Sequence, residues 1–183
     1  MNRSLPLVLL LAFMAGCAGQ ARQAPSPENG WGLGGRVALW AHGDQDSANI
    51  DWQDCGDRYL IRLSGPIGIG TSLIYGNRDG VWLYRGGEPE LSAASPEALL
   101  AEQGWRLPVS ALRHWLRGLP VPDAPYQRSP QDSGQIERLR QLGWDIHYEY
   151  ASGAPVRIAM ENPEIRLKWL IRQWRDSAEC PRP

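Results

Sequence analysis

The sequence predicts a mainly β (α+β) domain: a curved, open antiparallel sheet of roughly eleven strands, with two helices inserted after the sixth. Apolar and polar residues alternate in short runs on both sides of the middle of the chain. Turn signals rich in Gly, Asn and Asp separate these runs, and only the middle changes to a helical period. A sheet this wide has to curl, and inserted helices can cover its open face.

The first six strands are short alternating runs. They are predicted at residues 36–40, 48–53, 58–63, 71–75, 81–85 and around Glu90, with regular structure beginning near Gly34. Turns such as Asn77 to Gly80 and Gly86-Gly87 are too short for a crossover helix. The strands therefore form hairpins in an antiparallel meander, with no βαβ unit and no glycine-rich phosphate loop.

Two helices are predicted in the middle of the chain. Ser95 can cap a helix that has Pro96 at its first position and ends near residue 103. Pro108 opens a second helix that ends at Gly118. The second helix is amphipathic, and its apolar stripe of Leu112, Trp115 and Leu116 is available to cover another surface.

Period two then returns for the last five strands. A short strand is predicted near Tyr126, followed by strands at 136–142, 144–150, 156–160 and 165–174. The last run alternates apolar residues with basic ones, among them Arg166, Lys168 and Arg172.

The chain begins with an export signal. Arg3 precedes an apolar stretch over residues 5–15, which is too short to span a bilayer comfortably. The junction at 14–17 resembles a bacterial lipobox, so residues 1–16 are predicted to be removed and Cys17 to carry the acyl chains of a lipid anchor. The alternative is a plain secretory signal that leaves Cys17 as a thiol. Ala18 follows the cysteine, and by resemblance to sorted lipoproteins the absence of Asp at this position implies an outer-membrane destination facing the periplasm.

The remaining boundaries follow from composition. Residues 17–33, rich in Ala, Gln, Pro and Gly, are predicted to form a lipidated flexible tether, residues 34–175 the folded domain, and residues 176–183 a disordered tail. Cys55 and Cys180 lie in a chain predicted to be exported, where disulfides form. Whether they pair stays open at this stage.

Composition and motifs exclude several function classes. A net charge of −1 is not that of a nucleic-acid-binding protein. The three histidines, His42, His114 and His147, have no second ligand at metal spacing and are interpreted as surface residues. No nucleophile elbow or H-E-x-x-H motif occurs, so no catalytic residue, metal or cofactor is predicted. A catalytic pair of Asp or Glu side chains that only the folded structure would bring together stays open at this stage.

One segment, residues 64–70, breaks the alternation. Its sequence is Ser-Gly-Pro-Ile-Gly-Ile-Gly, in which Gly and Pro surround two isoleucines. Either both isoleucines pack into the core, or Ile67 is a wedge that enters lipid. One aliphatic side chain entering lipid is worth roughly 1.5 to 3 kcal/mol, enough to favour contact and too little to fix the protein there.

These features together resemble the LolB family. The resemblance extends over about 34–174 and rests on the lipobox, the block Gly35-Arg36-Val37, the strand at 50–53, residues 57–59 with 65–68, and the helix sequence of 107–120. It implies an open antiparallel half-barrel, lidded by helices over an apolar cavity for the acyl chains of a passenger lipoprotein. The passenger comes from a periplasmic carrier chaperone, no cofactor is needed, and the protein is expected to be a monomer.

The resemblance also implies site residues. The loop of Pro66, Ile67 and Gly68 assists insertion of the passenger into outer-membrane lipid. Likewise implied is a cavity lined by one sheet face and the lid, which we assign to Ile61, Leu63, Leu73, Val156, Ile158, Leu112, Trp115 and Leu116. Which sheet face points inward stays open, and core packing is the alternative for each of these side chains.

Two other functions remain open from sequence. The first is a static lipoprotein that stores a hydrophobic small molecule and needs no wedge. The second is an envelope hydrolase, which would require a buried Asp or Glu beside a His or Ser. One departure from the family is that Pro25 to Gly30 leave no room for a helix before the first strand, which puts closure of the lid in question.

Overall fold

The alternating runs of the sequence fold into strands. The computed structural model describes residues 30–65, 70–102, 104–131 and 133–176, and within these ranges eleven strands form one open antiparallel sheet. The strands are β1 (Trp31–Ala41), β2 (Asp44–Asp54), β3 (Tyr59–Ser64), β4 (Thr71–Asn77), β5 (Gly80–Arg85), β6 (Glu88–Ala93), β7 (Tyr126–Pro130), β8 (Ile136–Gln141), β9 (Trp144–Ala151), β10 (Ala154–Glu161) and β11 (Ile165–Arg175). The prediction of a mainly β fold with roughly eleven strands is confirmed.

The sheet is a meander that is joined through its two terminal strands. Its order is β6-β5-β4-β3-β2-β1-β11-β10-β9-β8-β7. The first strand pairs with the last, so β6 and β7 become the two edges. The helices lie between β6 and β7 in the chain, and they therefore connect one edge of the sheet to the other.

The first strand begins earlier than the sequence predicted, at Trp31 rather than near Gly34. Trp31 and Leu33 are buried in the core, although the glycines between and after them interrupt the alternation. The close approach of β1 to β11 requires one of these glycines. A Cβ on Gly35 would lie 2.2 Å from the carbonyl oxygen of Leu170, whereas a Cβ on Gly34 would meet nothing nearer than 3.8 Å.

The two helices are α1 (Pro96–Glu102) and α2 (Val109–Trp115). The Oγ of Ser95 accepts a hydrogen bond from the Ala98 N–H at 3.1 Å, as the predicted cap requires. The second helix ends before the predicted Gly118, which has a φ of +72°. The Gly118 N–H instead closes a turn on the Trp115 carbonyl at 2.9 Å. We call residues 96–118, which contain both helices, the lid.

Alternation divides the sheet into two faces. Large apolar side chains from β1, β2, β3, β9, β10 and β11 form one buried cluster with residues of the lid. We call the face that carries Trp52, Ile61 and Trp169 the covered face, and the opposite one the outer face. The core of the domain thus lies between the covered face and the lid.

Candidate functional site: the covered face and its lid

The structure brings together most of the residues predicted to line an acyl-chain cavity. Ile61 and Ile158 lie on the covered face, and Leu112, Trp115 and Leu116 come down on it from the lid. All five belong to one buried cluster, and Leu63 is half-buried against it. The open question of which sheet face points inward is thereby answered for β3 and β10.

Leu73 is a correction to the predicted grouping. In the ladder it pairs with Arg62 and Tyr84, whereas its neighbour Ile74 pairs with Ile61. Because paired residues in neighbouring strands point to the same side of a sheet, Leu73 lies on the outer face. The sequence could not settle this, since both Leu73 and Ile74 are apolar and either could have been the inward residue.

Val156 also stands apart from the group. The register of β10 against β9 shifts between Pro155 and Arg157, which makes Val156 the extra residue of a bulge. Its side chain is half-buried and is absent from the cluster, whereas Pro155 beside it is fully buried. The bulge thus directs Pro155 inward in place of Val156.

The covered space is filled by the protein's own side chains. Leu112 is 4% exposed, and Trp115 and Leu116 are completely buried. Trp115 packs against Trp144 with ring centroids 6.1 Å apart. Acyl chains could therefore enter only if lid side chains moved, and the lining role of these residues stays a prediction.

The polar side of α2 is fastened to the end of β2. Arg113 donates from Nε and Nη2 to the two carboxylate oxygens of Asp54, at 2.5 and 2.7 Å, and also to the Gly56 carbonyl. The Gly56 N–H donates back to Asp54 at 3.0 Å. The Asp54 side chain is only 3% exposed, and such a bidentate pair is both directional and strong.

A second fastening joins the lid to β8. The Trp115 Nε1 donates to the Oε1 of Gln141 at 2.9 Å. Gln141 is itself buried, and its amide is satisfied by the Val121 N–H and by the carbonyls of Val121 and Ala124. The first helix braces the second, because the Glu97 carboxylate accepts from the Ser110 N–H at 2.7 Å. The lid is thus held by a few specific polar contacts on either side of its apolar stripe.

Sequence reasoning missed these fastening residues. Asp54 continues the inward series of Ile50 and Trp52, so a carboxylate at a position that should be apolar was the available signal. Arg113 belonged to the polar side of a helix, where a solvated charge is the usual case. Their pairing joins residues 59 positions apart, and local patterns carry no information about it.

Burial shifts the pKa values of several side chains at this edge of the lid toward the uncharged form. Burial, followed by the nearby Arg117 and Arg113, lowers the pKa of His114. Burial likewise lowers the pKa of Arg117, with Asp54 acting in the opposite direction. Burial raises the pKa of Tyr59 to about 12. The Asp54 carboxylate is occupied by Arg113 and Gly56, so this arrangement fastens the lid and does not present a free base.

Four buried donor atoms on the covered face have no acceptor among the residues that the structure describes. They are the indole N–H groups of Trp52 and Trp169 and the hydroxyls of Tyr59 and Tyr148. Burial raises the pKa of Tyr148 well above its ordinary value. A buried donor without a partner costs free energy, so each of these four groups is a local cost to the folded interior.

The described ranges contain no cluster of three or more His, Cys, Asp or Glu side chains able to hold a metal ion. His42 and His147 are exposed: His42 is 3.4 Å from the Gly104 carbonyl, and His147 is 3.3 Å from Asp145. None of the helices in this part of the chain is long and apolar enough to cross a bilayer.

Several predicted features lie outside the described residues. They are the signal at 1–16, the anchor Cys17, nearly all of the tether, the loop residues Pro66, Ile67 and Gly68, and the tail from 177. Cys55 is disulfide-bonded. Both other cysteines of the sequence, Cys17 and Cys180, fall outside the described ranges.

Comparison with known proteins gives consistent matches. The family described as Outer membrane lipoprotein LolB matches residues 29–174. The Outer-membrane lipoprotein LolB of Chromohalobacter salexigens is 38% identical over 191 residues, covering 91% of this chain and 87% of that protein. The protein of the same name from Cellvibrio japonicus is 36% identical over 95% of this chain and 98% of its own length.

The fold also has a solved relative. A LolA superfamily protein of Nitrosomonas europaea aligns over 86% of this chain and 90% of its own, with a TM-score of 0.51 and 12% sequence identity. At that identity the likeness concerns the fold alone, and it agrees with an open antiparallel sheet lidded by helices.

Proposed function

The chain belongs to the LolB family of outer-membrane lipoproteins, and from this premise we propose that it accepts lipoproteins from a periplasmic carrier and inserts them into the outer membrane. The family serves lipoprotein trafficking, not an enzymatic reaction. The observation that carries the proposal is the covered face, where a continuous apolar cluster lies between the sheet and a lid that connects β6 to β7 in the chain. Such a space suits acyl chains, which need burial and no chemistry.

In this mechanism the acyl chains of the passenger replace lid side chains against the sheet. Leu112, Trp115 and Leu116 leave contacts with Ile61 and Ile158, and the chains take over these contacts. Each methylene that stays out of water is worth about 0.8 kcal/mol, so a passenger can compensate for the apolar contacts that the lid gives up. For the lid to move, the hydrogen bonds from Arg113 to Asp54 and from Trp115 to Gln141 have to break or lengthen.

The direction of transfer follows from differences in acyl burial. The space under the lid has to hold the chains better than the carrier does and less well than a bilayer. The unpartnered Tyr59 and Tyr148 hydroxyls make this interior poorer than hydrocarbon for an apolar chain, which supports release into lipid. No nucleotide or cofactor enters the scheme.

Two parts of the proposal concern the membrane. Cys17, carrying two or three acyl chains, anchors the protein in the outer membrane, because a single chain holds a protein only marginally. The loop of Pro66, Ile67 and Gly68 touches the bilayer while the passenger moves, with Ile67 as the wedge. Both rest on the sequence and on family membership.

The test is transfer of a radiolabelled lipoprotein from its purified carrier to outer-membrane vesicles. The parent protein is compared with Ile67→Glu and with a matched control, Leu142→Glu. Leu142 is 55% exposed in the turn between β8 and β9, so the control introduces the same charge at an exposed apolar residue of the domain. Binding of the passenger to each variant is measured separately from its release into lipid.

We expect the parent and Leu142→Glu to transfer the passenger, and Ile67→Glu to accept it without releasing it into membrane. If Ile67→Glu transfers as well as the parent, the wedge is wrong while the receptor function stands. If the parent moves no label, the receptor function is wrong and static storage of a hydrophobic molecule becomes the better account.

A further inference from the structure

The outer face of β1 and β11 carries basic side chains that take no part in the covered face or its lid. Arg166 and Lys168 are exposed on β11 and pair in the ladder with Trp40 and Ala38 of β1. Arg36 lies on the same face one step further along, and Arg172 is exposed beyond it. We call Arg36, Arg166, Lys168 and Arg172 the basic stripe.

The basic stripe keeps its charge free. Among the described residues no salt bridge engages any of its four members, although Glu161 is the ladder partner of Arg166. Basic residues elsewhere in the sheet behave differently. Arg157 pairs with Glu149 at 2.9 Å, and Arg138 and Arg140 share Asp145. In a chain with a net charge of −1, the stripe is therefore a local concentration of unpaired positive charge.

Apolar side chains lie within the basic stripe. Trp40 is half-buried, with the guanidinium carbon of Arg166 4.7 Å and the Lys168 Nζ 5.7 Å from its ring centroid. Leu170 is 36% exposed and pairs with Arg36. Tryptophan with flanking cations is the combination found at the level of lipid headgroups, where the ring meets both apolar and polar surroundings.

Most of the basic stripe lies at the end of the sheet where β3 ends at Ser64. The last residue of β3, Ser64, pairs with Asn49, and Asn49 in turn pairs with Arg36. Asn49 also donates from Nδ2 to the Gly65 carbonyl at 3.1 Å. Trp40 lies further toward this end, next to the turn that leads into β2.

We propose that the basic stripe binds the phosphates of anionic phospholipid headgroups and so orients the domain on the membrane surface. A lipid surface fits better than an acidic protein groove because the cations flank an aromatic and an aliphatic side chain on one face of a sheet. This orientation goes beyond the transfer proposed above and does not rest on it. The experiment contains neither carrier nor passenger, so its failure and the failure of transfer are distinguishable.

The test is partition of the mature chain, residues 17–183 with Cys17→Ser, onto vesicles. Vesicles of phosphatidylcholine alone are compared with vesicles containing one third phosphatidylglycerol. The test variant is Arg166→Gln with Lys168→Gln. The control variant is Arg106→Gln with Arg128→Gln, which removes the same charge from exposed residues outside β1 and β11. Thermal unfolding verifies that all three proteins fold equally.

We expect binding of the parent and the control to the phosphatidylglycerol vesicles, lost at 1 M salt, where the screening length is about 3 Å. The Arg166/Lys168 variant should partition about 20- to 30-fold more weakly, since each basic residue near an anionic surface contributes roughly fivefold. Equal loss in both variants, or equal binding of the parent to both vesicle types, would overturn the proposal. So would an Arg166/Lys168 variant that binds the phosphatidylglycerol vesicles as well as the parent does, because the basic stripe would then not contact the membrane.

Discussion

The ion pair between Arg113 and Asp54 allows the stability of the lid to be tested by one substitution, Arg113→Met. Met keeps the helix propensity and much of the side-chain volume while removing the charge. Breaking a fully buried pair by removing one partner costs about 3 to 5 kcal/mol. Arg113 is 29% exposed, and Asp54 keeps the Gly56 N–H, so we expect about 2 to 3 kcal/mol.

The assay is urea denaturation at neutral pH, accompanied by calorimetry, with the Cys55 disulfide kept oxidised in every sample. For a domain of this size the expected loss corresponds to a fall in Tm of about 5 to 10 °C. Asp54→Asn and the double variant complete a double-mutant cycle, in which a coupling of at least about 1 kcal/mol is expected. Arg62→Met is the control, because Arg62 is exposed on the outer face and its loss should cost at most about 0.5 kcal/mol.

The reasoning is refuted if Arg113→Met loses no more stability than Arg62→Met, since the pair would then not fasten the lid. It is also refuted if the two single variants and the double variant are strictly additive. A functional readout follows from the proposed mechanism: a lid with one fastening removed should accept the passenger's acyl chains faster than the parent does.

Three further predictions concern the interior, the β1–β11 contact and the charges of β8 and β9. Tyr148→Phe removes a hydroxyl that has no acceptor among the described residues, and it should leave the free energy of unfolding unchanged or higher. Tyr150→Phe, which loses a hydrogen bond to a main-chain carbonyl, should lower it by about 1 kcal/mol in urea denaturation. Gly35→Ala should lower it by about 1 to 3 kcal/mol, because the methyl collides with the main chain of β11, while Gly34→Ala, whose methyl would meet only ordinary van der Waals contacts, should cost clearly less. The hydrogen bond from Arg138 lowers the pKa of Asp145 to about 2, so its contribution is present above about pH 4 and lost as the pH falls toward 2. Asp145→Asn should therefore lose less stability than the parent between pH 4 and pH 2, and parallel losses would contradict the assignment.

The sequence predicted the elements well because their causes are local. Alternation of apolar and polar residues located the strands, and Ser95 with Pro96 located the start of α1. The start of β1 was predicted three residues too late, because glycines hide the period there. The end of α2 differed since the chain leaves the helix at Trp115 and reaches Gly118 through a turn.

The site was less predictable because its geometry depends on register and on distant contacts. Because side chains alternate along a strand, Leu73 and Ile74 must point to opposite faces of the sheet. The sequence alone does not indicate which of the two faces the lid. The basic stripe combines Arg36 of the first strand with Arg166 and Lys168 of the last. Only the pairing of β1 with β11, which local patterns do not reveal, places these charges on one surface.

The position of the lid in the topology bears on how this fold could open without unfolding. Every strand of the described sheet except β6 and β7 is paired on both sides, and the lid lies between these two edge strands in the chain and packs on the covered face through its side chains. In the described part of the chain, the hydrogen bonds that fasten the lid to the sheet include those of the Arg113 and Trp115 side chains. Movement of the lid therefore breaks a few polar contacts and exposes apolar surface while leaving the ladder hydrogen bonds of the sheet intact. Because acyl chains can cover that apolar surface, the lid should stay closed in water and open only when a hydrophobic passenger replaces it.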